Sequence, residues 1–358
     1  MKNQSPKVSV IIPVYNVEKY VARCLDSLVN QTMQDIEIIC VDDKSPDNSI
    51  DILLEYQRQY PDKVIVIQSE INRCIGGARN LGLARAQGEY IGFVDSDDWV
   101  DLTMFEKLYQ CASQTGSDVV DCDYQIMAPD KTMHRQSNSD DQIGELTLDK
   151  KKSLVLNPGR VWTKIYKRSF LQENRLFFPE HLFYEENEFM PITMVHATKL
   201  GKVSKPLYFY FAGSTLSTTK KRNSRHHMDR LQTSINMREH FIERKVYDIF
   251  RDEIDFRFIQ LYYRTTISMC LNKFDKPQID YLFELRDYMR QNFKDYRSNP
   301  YYKKSISLKA DLVTVLNDVN PYLAVVYHAI MIKPQKILLR FYRKYLKKSN
   351  KKTDAHES

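Results

Sequence analysis

The sequence predicts an α/β fold, a mostly parallel sheet with flanking helices, followed by a helical C-terminal region. Three observations predict it. Apolar runs of strand length alternate with helical patterns through the first third of the chain. Each of those runs ends in polar or acidic residues. Between Phe241 and Tyr302 the pattern is helical and rich in aromatic residues such as Phe256, Tyr262, Tyr263 and Tyr288, which suit a helical core.

Val8 to Ile12 is the first strand, stopped by Pro13, and a helical pattern from about Val17 to Asn30 puts Val21, Leu25 and Leu28 on one face. Ile36 to Val41 is the second strand and ends in Asp42-Asp43. Asp47 or Asn48 then opens a helix through Ile50, Leu53, Leu54 and Gln57. Val64 to Ile67 is the third strand, followed by a helix around Gly77 to Ala86. Tyr90 to Val94 is the fourth, and it runs into Asp95, Asp97, Asp98 and Asp101. Strands separated by helices of this length form right-handed units around a parallel sheet, and such sheets bind ligands outside the carboxyl ends of their strands. Pro13 to Asn16, Asp42-Asp43 and Asp95 to Asp98 all fall on that rim.

Composition narrows the class. A chain of 358 residues with 42% hydrophobic content builds one large domain or two modest ones. Six cysteines without a C-x-x-C pair suit a reducing compartment and argue against a disulfide framework or a zinc site. The polar start lacks the apolar core of a signal peptide, and the longest apolar stretch, Tyr322 to Ile332, is too short to cross a bilayer. The expectation is a cytoplasmic protein, either free or peripheral on the cytoplasmic face of the membrane. Net charge is +7, and residues 333–358, with nine Lys or Arg against Asp354 and Glu357, carry all of it. On a helical wheel Ile337, Leu338, Phe341, Tyr342, Tyr345 and Leu346 share one half, and basic residues fill the other. Such a segment either lies on an anionic membrane surface through 333–352 or packs on the body with a solvated basic face. One terminal basic block without a recognition motif argues against a nucleic-acid partner.

The acid cluster carries chemistry only in company. Three aspartates packed so closely repel one another, and a divalent cation shared with a polyanionic ligand relieves that. The alternative is a solvated loop capping a helix through Asp98 or Asp101.

Five ordered blocks supply the company: VSVIIPVYN (Val8 to Asn16), LDSLVNQT (Leu25 to Thr32), VDDKSPDNS (Val41 to Ser49), ARNLG (Ala78 to Gly82) and GEYIGFVDSDDWV (Gly88 to Val100). Together they resemble the family 2 glycosyltransferases, inverting enzymes of the Rossmann-like GT-A fold that use nucleotide sugars, and most of all the bacterial members that build surface polysaccharides. The resemblance is dense over about the first 125 residues. It continues in VWTKIYK (Val161 to Lys167), FYEENEF (Phe183 to Phe189) and LYFY (Leu207 to Tyr210), then thins after about residue 220. It implies a GT-A domain over 1–220, with a nucleotide-binding half (1–125) and an acceptor half (126–220), then a helical region (221–332) and the tail (333–358). Lys150 to Gly159 is the expected seam between the halves.

The resemblance also assigns roles. Pro13, Tyr15 and Asn16 border the base, and Asp42 accepts the N3–H of a uracil. Asp43 and Asp47 suit turn and cap chemistry. Arg79 meets the diphosphate, for which a guanidinium fork is suited. Asp95 and Asp97 form a D-x-D pair that contacts the ribose and, through Mg²⁺ or Mn²⁺, the phosphates; Asp98 either shares that site or caps a helix. Glu186 takes the acceptor proton as base, with Glu185 and Glu188 as fallbacks, or all three cap the helix from Asn187. The partners implied are a nucleotide-sugar donor, a UDP-sugar in the first instance, and a glycan or lipid-linked acceptor that receives a hexosyl or N-acetylhexosaminyl group. Four positions depart from the family pattern: Lys44 replaces a glycine, Pro46 stands where Thr is common, Cys74 replaces a glycine, and Glu186 replaces the usual Asp. The last two leave open a non-catalytic nucleotide-sugar or glycan-binding protein. A nucleotidyltransferase would need a Gly-rich loop where Pro13-Val14-Tyr15-Asn16 stands. His226-His227 reads as a solvated loop or helix start rather than a metal site, and Ser214 to Ser224 suits a mobile segment over the donor.

Overall fold

The computed structural model describes residues 5–213, 221–306, 308–332 and 334. The described chain divides into two compact units, one formed by residues up to Lys221 with Arg225–Phe258, the other by Arg222–Ser224 and the residues from Ile259 onward. The sheet unit thus keeps two helices that the sequence assigns to the separate region 221–332. The basic segment 333–358 lies outside the described residues apart from Pro334, as do residues 214–220.

In the first unit, β1 (Val8–Val14), α1 (Val21–Val29), β2 (Ile36–Asp42), α2 (Ser49–Gln59), β3 (Val64–Gln68), α3 (Cys74–Arg85) and β4 (Tyr90–Phe93) alternate as the pattern predicts. Strands β3, β2, β1 and β4 lie side by side and parallel. Strands β1 and β2 are buried along their length and apolar apart from Ser9, Glu37 and Asp42, the mark of a parallel sheet covered on two sides. Helix α1 buries Val21, Cys24, Leu25 and Leu28, the i, i+3, i+4, i+7 stripe. It starts later than the predicted Val17 because Val17 to Tyr20 form a turn closed by Tyr20 N donating to Val17 O at 2.8 Å.

Beyond β4 the sheet turns mixed. The elements are β5 (Trp99–Val100), α4 (Met104–Thr115), β6 (Val119–Ala128), β7 (Lys131–Arg135), β8 (Gly144–Glu145), α5 (Leu148–Leu156), β9 (Lys164–Lys167), α6 (Arg168–Glu173), α7 (Glu186–His196) and β10 (Lys199–Phe211). Strand β9 enters antiparallel between β4 and β6, and β10 runs parallel to β6 and antiparallel to β5. The register of β10 breaks around Pro206, which has no N–H to give the ladder. Lys164 on β9 is fully buried and pairs with Asp121 on β6 at 2.9 Å, so the lysine of VWTKIYK holds the sheet together. The expected seam at Lys150 to Gly159 overlaps helix α5, which packs on α7 and on a later helix. Helices α8 (Asp229–Glu243) and α9 (Arg251–Phe258) complete the unit.

The second unit is helical as expected: a π-helical turn Ile259–Thr265, then α10 (Thr266–Asn272), α11 (Ile279–Asn292), α12 (Pro300–Ser305), α13 (Leu308–Val319) and α14 (Pro321–Tyr327), the last running into a π-helical turn, His328–Ile332. Tyr263 and Tyr296 both donate to Asp318, and Tyr302 donates to Asp311. These three tyrosines are therefore core residues whose hydroxyls are satisfied internally. No described helix is long and apolar enough to cross a membrane.

Candidate active site

The rim is built where β1, β2 and β4 leave the sheet. Val14 lies in register with Asp42, and Asp43 N donates to Val14 O at 2.9 Å, so the two polar clusters are stitched together. Tyr15 projects from this edge with half of its surface exposed (49%). Asn16 takes a left-handed φ of 56° and donates through its N–H to Ser45 Oγ at 3.3 Å. Asp42 is buried, and its carboxylate accepts long bonds from Ser45 N, at 3.3 and 3.4 Å. Asp43 instead accepts from Arg73 N at 2.8 Å, and burial pushes its carboxyl up to about 6. Asp47 accepts from Glu18 N and Ser49 N, as turn and cap chemistry predicts.

In the acid cluster Asp98 alone turns inward. Asp95 and Asp97 stay partly accessible. Asp98 is fully buried: its Oδ2 accepts from the Tyr208 hydroxyl at 2.7 Å and its Oδ1 from Phe211 N at 2.7 Å. Burial, reinforced by Asp97 and Asp95, raises its pKa well above the carboxylate range. Asp98 therefore ties the loop to β10 through both of its carboxylate oxygens. It caps no helix; Asp101 does the turn chemistry, accepting from Thr103 N at 2.9 Å.

Two residues to which the sequence assigned no role hold this loop from either side. Tyr208 also accepts from Asp95 N at 3.1 Å while its ring stacks on Trp162 at 4.2 Å. Arg23 donates to Asp97 O at 2.9 Å and lies over the Trp99 ring at 3.8 Å and the Phe211 ring at 4.6 Å. The blocks VWTK and LYFY were visible in the sequence, but their aromatic partnership was not.

Arg79 sits inside α3, 2% exposed. Its Nη2 pairs with Asp95 Oδ1 at 2.8 Å and its Nη1 with Glu185 Oε1. Burial pulls its pKa down, but Glu185 and Asp95 outweigh that and raise it, so the cation is firmly held. Here its guanidinium fork is engaged by two protein carboxylates rather than left open to a diphosphate. Other contacts strap the segment before α7 to α3. Asn80 and Phe178 exchange hydrogen bonds of 2.9 and 3.0 Å, and Arg73 pairs with Glu180 at 2.9 Å. Gly76 is required at this approach, since a Cβ there would stand 2.1 Å from Pro179 O.

That strapping delivers three glutamates to the head of α7, and the structure separates them. Glu185 is buried against Arg79; burial and the neighbouring Glu186 push it up, against the pull of Arg79, to about 8. Glu188 is buried toward α8, 3.5 Å from His240 Nε2. Glu186, in the first turn of α7, is half-buried and its carboxylate makes no hydrogen bond or ion pair among the described residues. Arg257 on α9 interacts electrostatically with it. Arg257 is pulled down by burial to about 10, with Glu186 opposing and Arg230 assisting, and neither arginine forms an ion pair among the described residues. Arg230 lies 3.9 Å over the Tyr184 ring. His227 is buried, bonded to the Tyr184 hydroxyl at 3.1 Å and to Lys221 O at 2.9 Å, while His226 pairs with Asp229. The histidine pair thus forms the entry to α8, as a helix start, and braces the loop that carries Glu186.

No group of three or more His, Cys, Asp or Glu that could hold a metal ion occurs among the described residues. Two partly accessible carboxylates, Asp95 and Asp97, are what the rim offers. That fits Mg²⁺, which is commonly bound through one or two carboxylates with phosphate oxygens completing its shell.

Residues 9–174 match the family model described as Glycosyl transferase family 2. The chain is 37% identical over 211 residues to the poly(ribitol-phosphate) beta-glucosyltransferase of Bacillus spizizenii, covering 57% of this chain and 32% of that one. It is 30% identical over 250 residues to the glycosyltransferase YibD of Escherichia coli, covering 68% of this chain and 70% of that one. It spans 61% of the length of two Bacillus subtilis glycosyltransferases. Among solved structures, S. aureus TarS 1-349 in complex with UDP-GlcNAc superposes with a TM-score of 0.55 at 24% identity, covering 89% of this chain and 81% of that one; the likeness is one of fold.

Proposed function

The chain belongs to glycosyl transferase family 2, and from that membership we propose that it is an inverting, metal-dependent glycosyltransferase of cell-surface polysaccharide synthesis. It moves a hexosyl or N-acetylhexosaminyl group from a nucleotide sugar, a UDP-sugar, to a hydroxyl of a glycan or lipid-linked acceptor. The Bacillus spizizenii relative, a poly(ribitol-phosphate) beta-glucosyltransferase, supports a surface polymer as acceptor. In this reading residues 1–125 hold the donor and 126–220, extended by α8 and α9, form the acceptor side.

The observation that carries the reading is the bridge Glu185–Arg79–Asp95. It couples the loop bearing a free carboxylate, Glu186, to the loop bearing the D-x-D pair. An inverting displacement needs those two loops in fixed register, the base on one face of the sugar and the leaving group on the other. Asp42, with long internal hydrogen bonds, suits recognition of a uracil N3–H, and exposed Tyr15 with Asn16 borders the base. The acceptor oxygen attacks C1 as the C1–O bond to the diphosphate breaks, and the acceptor proton passes to the Glu186 carboxylate. Asp97 and Asp95 would hold Mg²⁺ or Mn²⁺, which neutralises charge on the departing diphosphate. Arg79 acts as a positioning residue, fixing Asp95 and Glu185 relative to one another.

The test is release of nucleoside diphosphate from a panel of UDP-, GDP- and dTDP-sugars with Mn²⁺, in wild type and Asp97→Ala. Turnover of a UDP-sugar that the substitution abolishes is expected. Tight binding of donors without turnover on any plausible acceptor would leave a binding protein. The basic segment 333–352 completes the reading as the contact with an anionic membrane surface, which its nine Lys or Arg and its aromatic, apolar half suit. Deleting residues 333–358 is expected to move the protein from anionic liposomes to the supernatant.

A further inference from the structure

Sixteen large apolar side chains are exposed among the described residues, and eight of them lie between Leu312 and Met331. Isolated exposed leucines and valines are ordinary, but a concentration of this kind marks an interaction surface. It is densest on α14 and the π-helical turn after it. No acidic or basic residue occurs between Asp318 and Lys333, and His328 is the only ionisable group there apart from tyrosine. The fold uses only one face of this apolar helix: Pro321, Ala324 and His328 are buried at i, i+3 and i+7, and His328 Nε2 bonds Asn272 at 3.0 Å. Tyr322, Leu323, Val326, Ile330 and Met331 form the opposite face and point outward, between 44% and 64% exposed.

We propose that this face of α14 is a membrane-insertion surface, seated in the acyl boundary of an anionic lipid leaflet. Charge identifies the occupant. The chain leaves the outward apolar face at Ile332 and passes directly into residues 333–352, which carry nine Lys or Arg and no acid. A soluble protein partner would have to match an apolar stripe and an adjoining block of like charge. An anionic leaflet matches both, with acyl chains for the stripe and headgroups for the cations. The segment is too short to span a bilayer, and one buried face already packs on its own unit, so it lies in the interface rather than across it. A tyrosine at the start of the stripe, Tyr322, suits the headgroup level. Two weak signals in sequence, one apolar and one electrostatic, are what stable but reversible anchoring requires. The inference rests on the membrane reading of the basic segment and adds a second, separable element to it.

The experiment compares the full chain with Leu323→Ser/Val326→Ser/Ile330→Ser in co-sedimentation with vesicles of phosphatidylcholine alone and of phosphatidylcholine with phosphatidylglycerol. Because the three side chains are exposed, folding and UDP-sugar turnover are expected to stay at wild-type level. Partitioning onto anionic vesicles is expected to fall by about two orders of magnitude. Added salt should weaken the residual binding of the triple variant more than that of wild type. Val326→Trp supplies a direct reading of the face, its emission shifting to the blue on addition of anionic vesicles and not on concentrating the protein. Wild-type partitioning by the triple variant, with binding lost on deletion of 333–358, overturns the insertion surface and leaves the basic contact standing. Emission from Val326→Trp that is already blue and unchanged by lipid also overturns it, showing the face covered by the chain itself. A shift that follows protein concentration without lipid overturns it in favour of a second copy.

Discussion

The Arg79 guanidinium stands 2.8 Å from the Asp95 carboxylate, and the same side chain reaches Glu185 with its other nitrogen. One buried cation therefore joins the end of β4 to the head of α7. In water such a pair contributes little, but Arg79 is 2% exposed and the surrounding dielectric is low. The bridge fixes geometry more than it supplies stability, because desolvating the three groups offsets much of their attraction.

Removing the cation exposes that cost. Arg79→Met leaves Asp95 and Glu185 facing each other with no counter-charge, and the loss expected is about 3–5 kcal/mol. Arg79→Lys retains the charge but offers one point where the fork offers two, so an intermediate loss is expected. Urea midpoints of the three proteins at neutral pH check this. Equal midpoints would mean that the two acids simply take up protons and the bridge has no structural weight.

Glu185 and Glu186 are adjacent but should behave oppositely when neutralised. Glu186→Gln removes the free carboxylate and is expected to lower kcat by about 10²–10⁴ while KM for donor stays near wild type. Glu186→Asp keeps the acid one methylene shorter and should recover part of that loss. Glu185 is engaged by Arg79 rather than open to an acceptor proton, so Glu185→Gln, which keeps an oxygen for that guanidinium, should retain much more activity. A larger loss of kcat in Glu185→Gln than in Glu186→Gln would reverse the assignment.

The first four strands and three helices were legible because each apolar run there is buried on both faces and each helix carries one clean stripe. The mixed half was not. Strand β9 is only four residues long, and nothing in KIYK says that it inserts antiparallel between two strands far apart in sequence. The acids on the rim were legible as a group but not individually. Asp95, Asp97 and Asp98 look alike in a line of text, and only Tyr208 and Phe211, more than a hundred residues later, decide that Asp98 turns inward. Arg79 was found through its block, yet its two carboxylate partners depend on tertiary contact. Arg23, Arg230 and Arg257 carry no local motif and were invisible for the same reason.

The two departures from glycine are informative in the backbone. Lys44 and Cys74 both adopt left-handed conformations, with φ of 61° and 60°, so the chain keeps a path that favours glycine without the glycine. That conformation costs an ordinary residue about 1–2 kcal/mol, and glycine's extra freedom in the unfolded state takes back about 0.4–1 kcal/mol. Cys74→Gly is therefore expected to stabilise the protein by about 0.5–1 kcal/mol. Ala84→Gly, at an exposed position of the same helix, should instead lose about 0.5–1 kcal/mol. Urea midpoints for the pair should move in opposite directions; a loss in both would mean that the Cys74 side chain contributes packing that outweighs its strain.

Glu188 gives the chain a measurable pH response away from the rim. Burial pushes it up to about 7 from the ordinary glutamate value of 4.5, with Asn236 pulling it down and Glu239 adding to the rise. The folded protein then binds this proton more tightly than the unfolded chain. Its contribution to stability is full below pH 4.5 and is lost as pH rises through about 7. The neighbouring His240 is pushed down by burial, so its own contribution is lost toward acid and must be cancelled by comparison. Glu188→Gln provides that comparison, since it keeps His240 and removes only the titrating acid. The stability of wild type relative to this variant is expected to fall by roughly 2–3 kcal/mol between pH 4.5 and 7.5, and to be flat below that range. A difference that is constant across the range, or that grows with pH, would show Glu188 ionised in the folded protein and paired with a protonated His240.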